Sequence, residues 1–382
     1  MTNVREKSPL TVVGIGADGW PGLSSRARDA VVNADVVIGA PRQLAYLPAG
    51  MKSEPWPSPL LPALDEFLAG REGRVCVLAS GDPLLSGIGT TLVQRGYDVE
   101  ILPALSSVTL ARARLGWSGE ETEVVTVVGR AIGRVSRALA PGRKILVLGA
   151  NAEDLLDLLK ARGYGKSRVT ALSDLGGPDE RIGPGSLTVF AVEADGPALP
   201  LTGLPDDAFE HDGQLTKRDL RASALARLAP SPGELLWDVG AGAGSVGIEW
   251  SRVHPLNRAI AIERSPERAA RITRNADALG VPELDVVIGP APEALEGLTT
   301  PHAIFVGGGL TVPGVLTACL ATGARIVAHG VTLEAEQALA RAYGEHGGEL
   351  IRVAVEQAAP LGGFTGWTPA RVVTQWTYRS KP

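Results

Sequence analysis

Residues 235–250 read LLWDVGAGAGSVGIEW, and the fold class follows from how this stretch divides. Leu235 to Val239 is a short apolar run carrying one acid, the pattern of a buried strand. Gly240, Gly242 and Gly244 follow at alternate positions, with Ala241 and Ala243 between them, and a helix is predicted from about Ser245. Glycine lets backbone approach a ligand closely, and a helix N-terminus offers unpaired N–H groups. About 20 residues on, Glu263 ends the next predicted strand, where a carboxylate can accept from both ribose hydroxyls. A dinucleotide fingerprint, G-x-G-x-x-G, wants glycine at position 245, which is Ser245. The spacing is instead G-x-G-x-G after the acidic Asp238, which suits a cationic amino-acid ligand and sits badly beside a pyrophosphate. The motif therefore favours S-adenosyl-L-methionine over NAD, with a ligand-free glycine turn as the plainest alternative.

Outward from this motif the chain alternates strand and helix. After it, strands are predicted at Ala259 to Glu263, Leu284 to Ile288, Ala303 to Val306, Arg325 to Ala328, Leu350 to Val355 and Arg371 to Tyr378. The last two are separated by LGGFTGWTP without a helix, so the final strand is expected to be antiparallel. Before it, strands are predicted at Leu10 to Ile15, Asp35 to Ile38, Val75 to Ala79, Asp98 to Leu102, Val124 to Val128, Lys144 to Leu148 and Val169 to Leu172. Helices are predicted at Leu23 to Asn33 and from about Pro83 to Arg95. Such βα units imply parallel or mixed sheets covered by helices. Between Val192 and Leu215 three prolines and several acids interrupt the pattern, as in a linker or ordered connector. The expectation is an α/β chain of two domains, 1–200 (subdomains about 1–102 and 103–200) and 201–382.

The 382 residues suffice for two or three domains. A net charge of −5 argues against a nucleic-acid binder with a strongly basic face. No apolar run reaches the roughly 18 residues of a membrane span, and MTNVREKSPL lacks the apolar core of a secretory signal. A cytoplasmic enzyme is expected. Cys76 and Cys319 lie in apolar stretches and read as core residues. His211, His254, His302 and His346 show no metal-ligand spacing, so no metal is expected.

Other stretches carry a resemblance. LPDDAFEHDGQLTKRDLRA, GPAPEAL, IFVGGG and VAHGVTLE, placed around the second βα series, resemble the C15-type decarboxylating methyltransferases of cobalamin biosynthesis, which are class I methyltransferases. VVGIGADG (12–19), LASGDPLLSGIG (78–89), PALSSVTLARARLGW (103–117) and LGGPDERI (175–182) resemble the class III tetrapyrrole methylases. In this order, the two resemble the fused, decarboxylating precorrin C5,15-methyltransferase family. The resemblance implies two methyl transfers from S-adenosyl-L-methionine, with one cofactor site in each half. Carbon 5 of the tetrapyrrole (precorrin) would be served by the first half. Carbon 15 and loss of the ring C acetate carboxyl would be served by the second. It further implies a homo-oligomer, dimeric or tetrameric. An NAD-dependent oxidoreductase fused to a methylase, an RNA or protein methyltransferase, and a binding module without turnover are the alternatives.

In the first half the resemblance sets Ala17 against the cofactor, together with Ser80, Gly81, Asp82 and Leu85. The plainer alternative for Asp82 is the cap of a helix starting at Pro83. Ser106 and Ser107 open a helix, where capping explains one hydroxyl more easily than two. Val128 stands where the family often has His. In the second half Thr216, at a predicted helix start, matches a position near the methionine end of the cofactor. Ala291 matches the adenine-side turn, although Pro290 replaces the family's preceding acid. Gly307, Gly308 and Gly309 end the fourth strand, where substrate would approach backbone. His329, where the family commonly has Asn, is a weak catalytic candidate, and otherwise a structural His. Arg130, Arg134, Arg218 and Arg221 are candidates for the substrate's carboxylates, or simply solvated helix faces.

Overall fold

The computed structural model describes residues 10–379 apart from 70 and 72. Its contacts separate two units, one running to Ile132 and continuing over Pro141–Gly196, the other made of Gly133–Ala140 and the chain from Pro197.

The first unit holds two sheets. Strands β1 (Leu10–Ile15), β2 (Val36–Gly39), β3 (Ser53–Pro55), β4 (Val75–Ser80) and β5 (Val99–Leu102) form an all-parallel sheet ordered β3-β2-β4-β1-β5. A parallel sheet is covered on both faces, so its central strands are continuous apolar runs rather than alternating ones. Val12, Val13, Ile38, Val77 and Leu78 are accordingly buried. The second sheet joins β6 (Thr122–Thr126), β7 (Lys144–Leu148), β8 (Arg168–Ser173), β9 (Arg181–Ile182) and β10 (Thr188–Glu193) in the order β6-β7-β10-β8-β9. Only β6 and β7 run parallel in it.

The second unit is built on β11 (Leu235–Val239), β12 (Arg258–Glu263), β13 (Asp285–Ile288), β14 (Ala303–Val306), β15 (Arg325–Gly330) and β16 (Glu349–Val353). It also contains β17 (Glu356–Leu361), β18 (Phe364–Pro369) and β19 (Val373–Tyr378). The main sheet is ordered β13-β12-β11-β14-β15-β19-β16, and β19 is antiparallel to both neighbours, as expected. The order reverses beside β11, and the carboxyl ends of the strands flanking such a switch point, here β11 and β14, are the usual ligand position in open α/β sheets. The connector is ordered onto this unit, with Leu204 and Phe209 buried in its core.

Three expectations change. LGGFTGWTP belongs to a hairpin, β17 pairing with β18 around Gly362 and Gly363, a two-residue connection that suits glycine. The helix expected from Pro83 starts only at Ile88, because Ser86 takes a left-handed conformation (φ 54°) that no right-handed helix accommodates. The helix expected to begin at Thr216 spans Arg218–Leu228 and is preceded by an extended Lys217.

Candidate functional site

In the first unit, loops from the carboxyl ends of the parallel strands converge on a cleft of about 690 Å³, within the range of small-ligand sites. Gly16 and Ala17 follow β1, Ser80 ends β4 with Gly81, Asp82 and Leu85 after it, and Ser106 and Ser107 lie beyond β5. The opposite wall comes from the second sheet, with Val128, Leu148, Gly149, Ser186 and Thr188. Every first-half residue singled out for the cofactor therefore lines one cleft. Gly81 joins the loops: its N–H donates to Ile15 O (3.0 Å) and its carbonyl accepts from Ala104 N (3.0 Å). Its φ is +54°, and a Cβ there would come within 3.0 Å of Leu105 O, so the position requires glycine.

The hydroxyls divide their work. Ser106 Oγ caps helix Ser107–Leu115 by accepting from Thr109 N (3.1 Å), while Ser107 faces the cleft without a capping duty. Asp82 caps no helix; its Oδ1 accepts from Leu84 N (2.9 Å) and shapes the turn below the cleft. Val128 is exposed and apolar at the wall, so this position supplies no imidazole. Sequence reasoning misses Arg42, Gln43 and Tyr46, which follow β2, and Asn151, which caps helix Ala152–Ala161. Pro41 at the first helical position after a strand is the available signal.

In the second unit the glycine motif turns tightly between neighbouring strands. Gly240 N and Ala241 N both donate to Ile262 O, at 2.9 and 3.2 Å, and Gly307 N donates to Val239 O at 2.9 Å. Gly242 has φ +61°, and a Cβ there would come 2.8 Å from Gln214 O, so a segment preceding the helix lies directly over the motif. That segment is pinned by the helix Pro266–Ala278. Asp212 pairs with Arg268 (2.8 Å) and Arg271 (3.2 Å), which hold its carboxyl far below the usual range. Asn275 Nδ2 donates to both Glu210 O and Ala243 O, each at 3.0 Å.

Two buried acids face the motif's backbone. Glu263 accepts from Gly242 N (2.9 Å) and Ser265 N (3.0 Å). Asp238 Oδ2 accepts from Gly247 N (2.9 Å), and among the described residues its Oδ1 has no hydrogen-bond partner. Burial, with the Glu263 charge adding to it, pushes the Asp238 carboxyl up to about 7. The Glu263 carboxylate beside the glycine turn fits a ligand bearing hydroxyls and positive charge and sits badly beside a pyrophosphate. The donor set thus fits S-adenosylmethionine, which Glu263 and the glycine backbone would hold.

Several candidates are placed elsewhere. Arg221 is fully buried and paired with Glu249, so it cannot meet a substrate carboxylate. Arg134 is paired with Glu283. Arg130 and Arg218 are exposed, and Arg130 lies outside the cleft lining. Thr216 offers its carbonyl to Arg221 Nη1 (2.6 Å). His329 is buried, its Nε2 2.8 Å from Gln375 Oε1 and its ring edge-on to Phe305, and burial lowers its pKa. These contacts suit a neutral core histidine rather than a catalyst. Ala291 packs against the apolar layer of Ile260 and Val306.

The sheet order and the glycine crevice define a class I methyltransferase unit, preceded here by a second α/β unit with its own cleft. Residues 207–380 match the precorrin methyltransferase domain family, and residues 9–190 match the tetrapyrrole (corrin/porphyrin) methylases. A precorrin-6Y C(5,15)-methyltransferase [decarboxylating] of Sinorhizobium sp is 46% identical over 97% of this chain and 96% of its own length. The chain belongs to the precorrin-6Y C5,15-methyltransferase (decarboxylating) family. Two further relatives each match about half of the chain. A "Probable cobalt-precorrin-6B C(15)-methyltransferase (decarboxylating)" of Pyrobaculum calidifontis is 34% identical over 46% of this chain and 95% of its own. A cobalt-precorrin-7 C(5)-methyltransferase of Salmonella typhimurium is 33% identical over 49% of this chain and 94% of its own.

Proposed function

We propose that the chain methylates carbons 5 and 15 of a precorrin of the 6B/6Y stage and removes the ring C acetate carboxyl, giving precorrin-8X in cobalamin biosynthesis. The first half, 1–200, serves carbon 5; the second, 201–382, serves carbon 15 and the decarboxylation. Relatives that cover half the chain and are named for one carbon each support this division. The methyl donor of this family is S-adenosyl-L-methionine, which supplies an electrophilic methyl carbon on a cationic sulfur. We assign one donor site to each half.

In the first half, Ala17, Ser80, Gly81, Asp82, Leu85, Ser106, Ser107 and Val128 form the donor site; their convergence on one cleft supports this. In the second, Asp238, Gly240 to Gly244 and Glu263 form the donor site, and Gly307 and Gly308 adjoin the substrate. The observation that carries the reading is the G-x-G-x-G turn after β11, whose Gly242 N is held by the Glu263 carboxylate at the end of the neighbouring strand. Ser245, where a dinucleotide fingerprint wants glycine, disfavours an NAD enzyme.

The reduced tetrapyrrole brings its own enamine-like carbons and a conjugated imine that can take the electron pair released with carbon dioxide. The protein's share is therefore alignment, holding acceptor and donor about 3–3.5 Å apart, and exclusion of water. A cytoplasmic homo-oligomer completes the reading. The exposed Leu361, Phe364 and Trp367 of the β17–β18 hairpin supply an apolar surface for association. Incubating the chain with precorrin-6B and labelled donor, then counting methyl groups gained and carbon dioxide lost, tests the proposal. Two methyls and one carbon dioxide are expected; label at a single carbon contradicts it.

A further inference from the structure

We propose that Arg42 binds a side-chain carboxylate of the tetrapyrrole in the first-half cleft and so sets the substrate's position for transfer to carbon 5. The inference rests on the reading above. Arg42 sits on the short helix Pro41–Leu44 that follows β2, next to β4 in the sheet, so it and Ser80 rise from the carboxyl ends of adjacent strands. It is the only Arg or Lys among the described residues that line the cleft. Among the described residues it has no acidic partner; its one side-chain hydrogen bond runs from Nη2 to Ser80 Oγ at 3.0 Å.

Ser80 Oγ also accepts from Gln43 Nε2 at 3.1 Å. Gln43 is itself fixed, buried with its Oε1 accepting from Ala40 N at 2.8 Å. Two donors occupy both lone pairs of the serine oxygen, which leaves its proton free to donate. The cluster thus presents donors only: the remaining guanidinium N–H groups and one hydroxyl, on an anchored base, facing a cleft. That is the complement of an anion with several acceptor lone pairs, and a planar carboxylate matches the guanidinium fork. Asp82, the only acid among the described residues lining the cleft, already accepts from Leu84 N. A carboxylate reaches this site from one of two sources, the substrate or the amino-acid end of the methyl donor. The exposure of Arg42 at the cleft surface favours the larger, many-armed substrate.

The test uses the full chain and the variants Arg42→Ala, Arg42→Gln and Arg42→Lys. Carbon 5 methylation is followed against precorrin concentration at several salt concentrations, and donor affinity is measured by calorimetry. Loss of a charge-assisted pair should raise the precorrin KM of the carbon 5 step about tenfold or more in the Ala and Gln variants. Lys should recover part of the loss. Donor affinity and carbon 15 methylation should stay as in the parent, and the rise of KM with salt should be steeper in the parent than in Arg42→Ala. An unchanged KM in both neutral variants overturns the inference, as does a matching fall in donor affinity, which would hand the carboxylate to the donor. A parent chain that never methylates carbon 5 would instead refute the underlying functional reading.

Discussion

Arg221 Nε lies 2.6 Å from Glu249 Oε1, and neither side chain has any exposure to solvent. Glu249 also accepts from Gly203 N (2.7 Å) and Leu204 N (2.9 Å), while Arg221 donates to the carbonyls of Thr216 and Leu204. The pair therefore fastens both ends of the connector segment that crosses the glycine motif. Removing one partner of such a pair strands the other charge in the core. Arg221→Met should cost about 3–5 kcal/mol of stability, and Arg221→Met with Glu249→Leu less than either single change. Denaturant unfolding of the four proteins measures this; a double variant as weak as the sum of the singles would argue against it.

Gly242 tests whether the motif itself holds the donor. Its backbone is left-handed and the space above it is filled by Gln214 O. Gly242→Asp should abolish methylation at carbon 15 and leave carbon 5 competent. Mass spectrometry of the product should then show a single added methyl.

Asp238 predicts a pH dependence with a definite sign. Its carboxyl is raised from 3.8 to about 7 in the folded chain, first by desolvation and then by the Glu263 charge. The folded state thus holds a proton that the unfolded state has released, so stability falls as pH rises from about 4 to about 7. The slope is roughly 1.4 kcal/mol per pH unit within that window. Asp238→Asn should flatten it, as followed by unfolding of donor-free protein across the same range.

Asp82 shapes the first-half cleft through its bond to Leu84 N. Asp82→Ala should slow carbon 5 methylation at least tenfold by releasing the turn that carries Leu85 and Ser86, with carbon 15 methylation unaffected. Equal slowing of both steps, read from label positions in the product, would contradict two independent sites.

Much of this is legible where burial imposes a pattern. Lys144–Leu148, Leu235–Val239 and Ala303–Val306 are found at their predicted bounds, since buried strands are dominated by apolar residues, whereas the equally buried Thr188–Glu193 goes unpredicted. The short edges Ser53–Pro55 and Arg181–Ile182 and the exposed β17–β18 hairpin carry no such pattern, and the sequence does not reveal them. At the site, the glycine and serine turns are readable because their backbone geometry restricts residue choice. Charges are not. Arg221 reads as a solvated helix position because its partner Glu249 is 28 residues away, whereas Arg42, on a four-residue helix with no periodicity, is marked only by Pro41 at the first helical position.

The number of donor molecules bound per chain tests the central claim most directly. Equilibrium dialysis with labelled S-adenosylmethionine should saturate at two per chain, and Gly242→Asp should reduce that to one. Saturation of the parent at one, or NAD competing for the second-half crevice, would contradict the account.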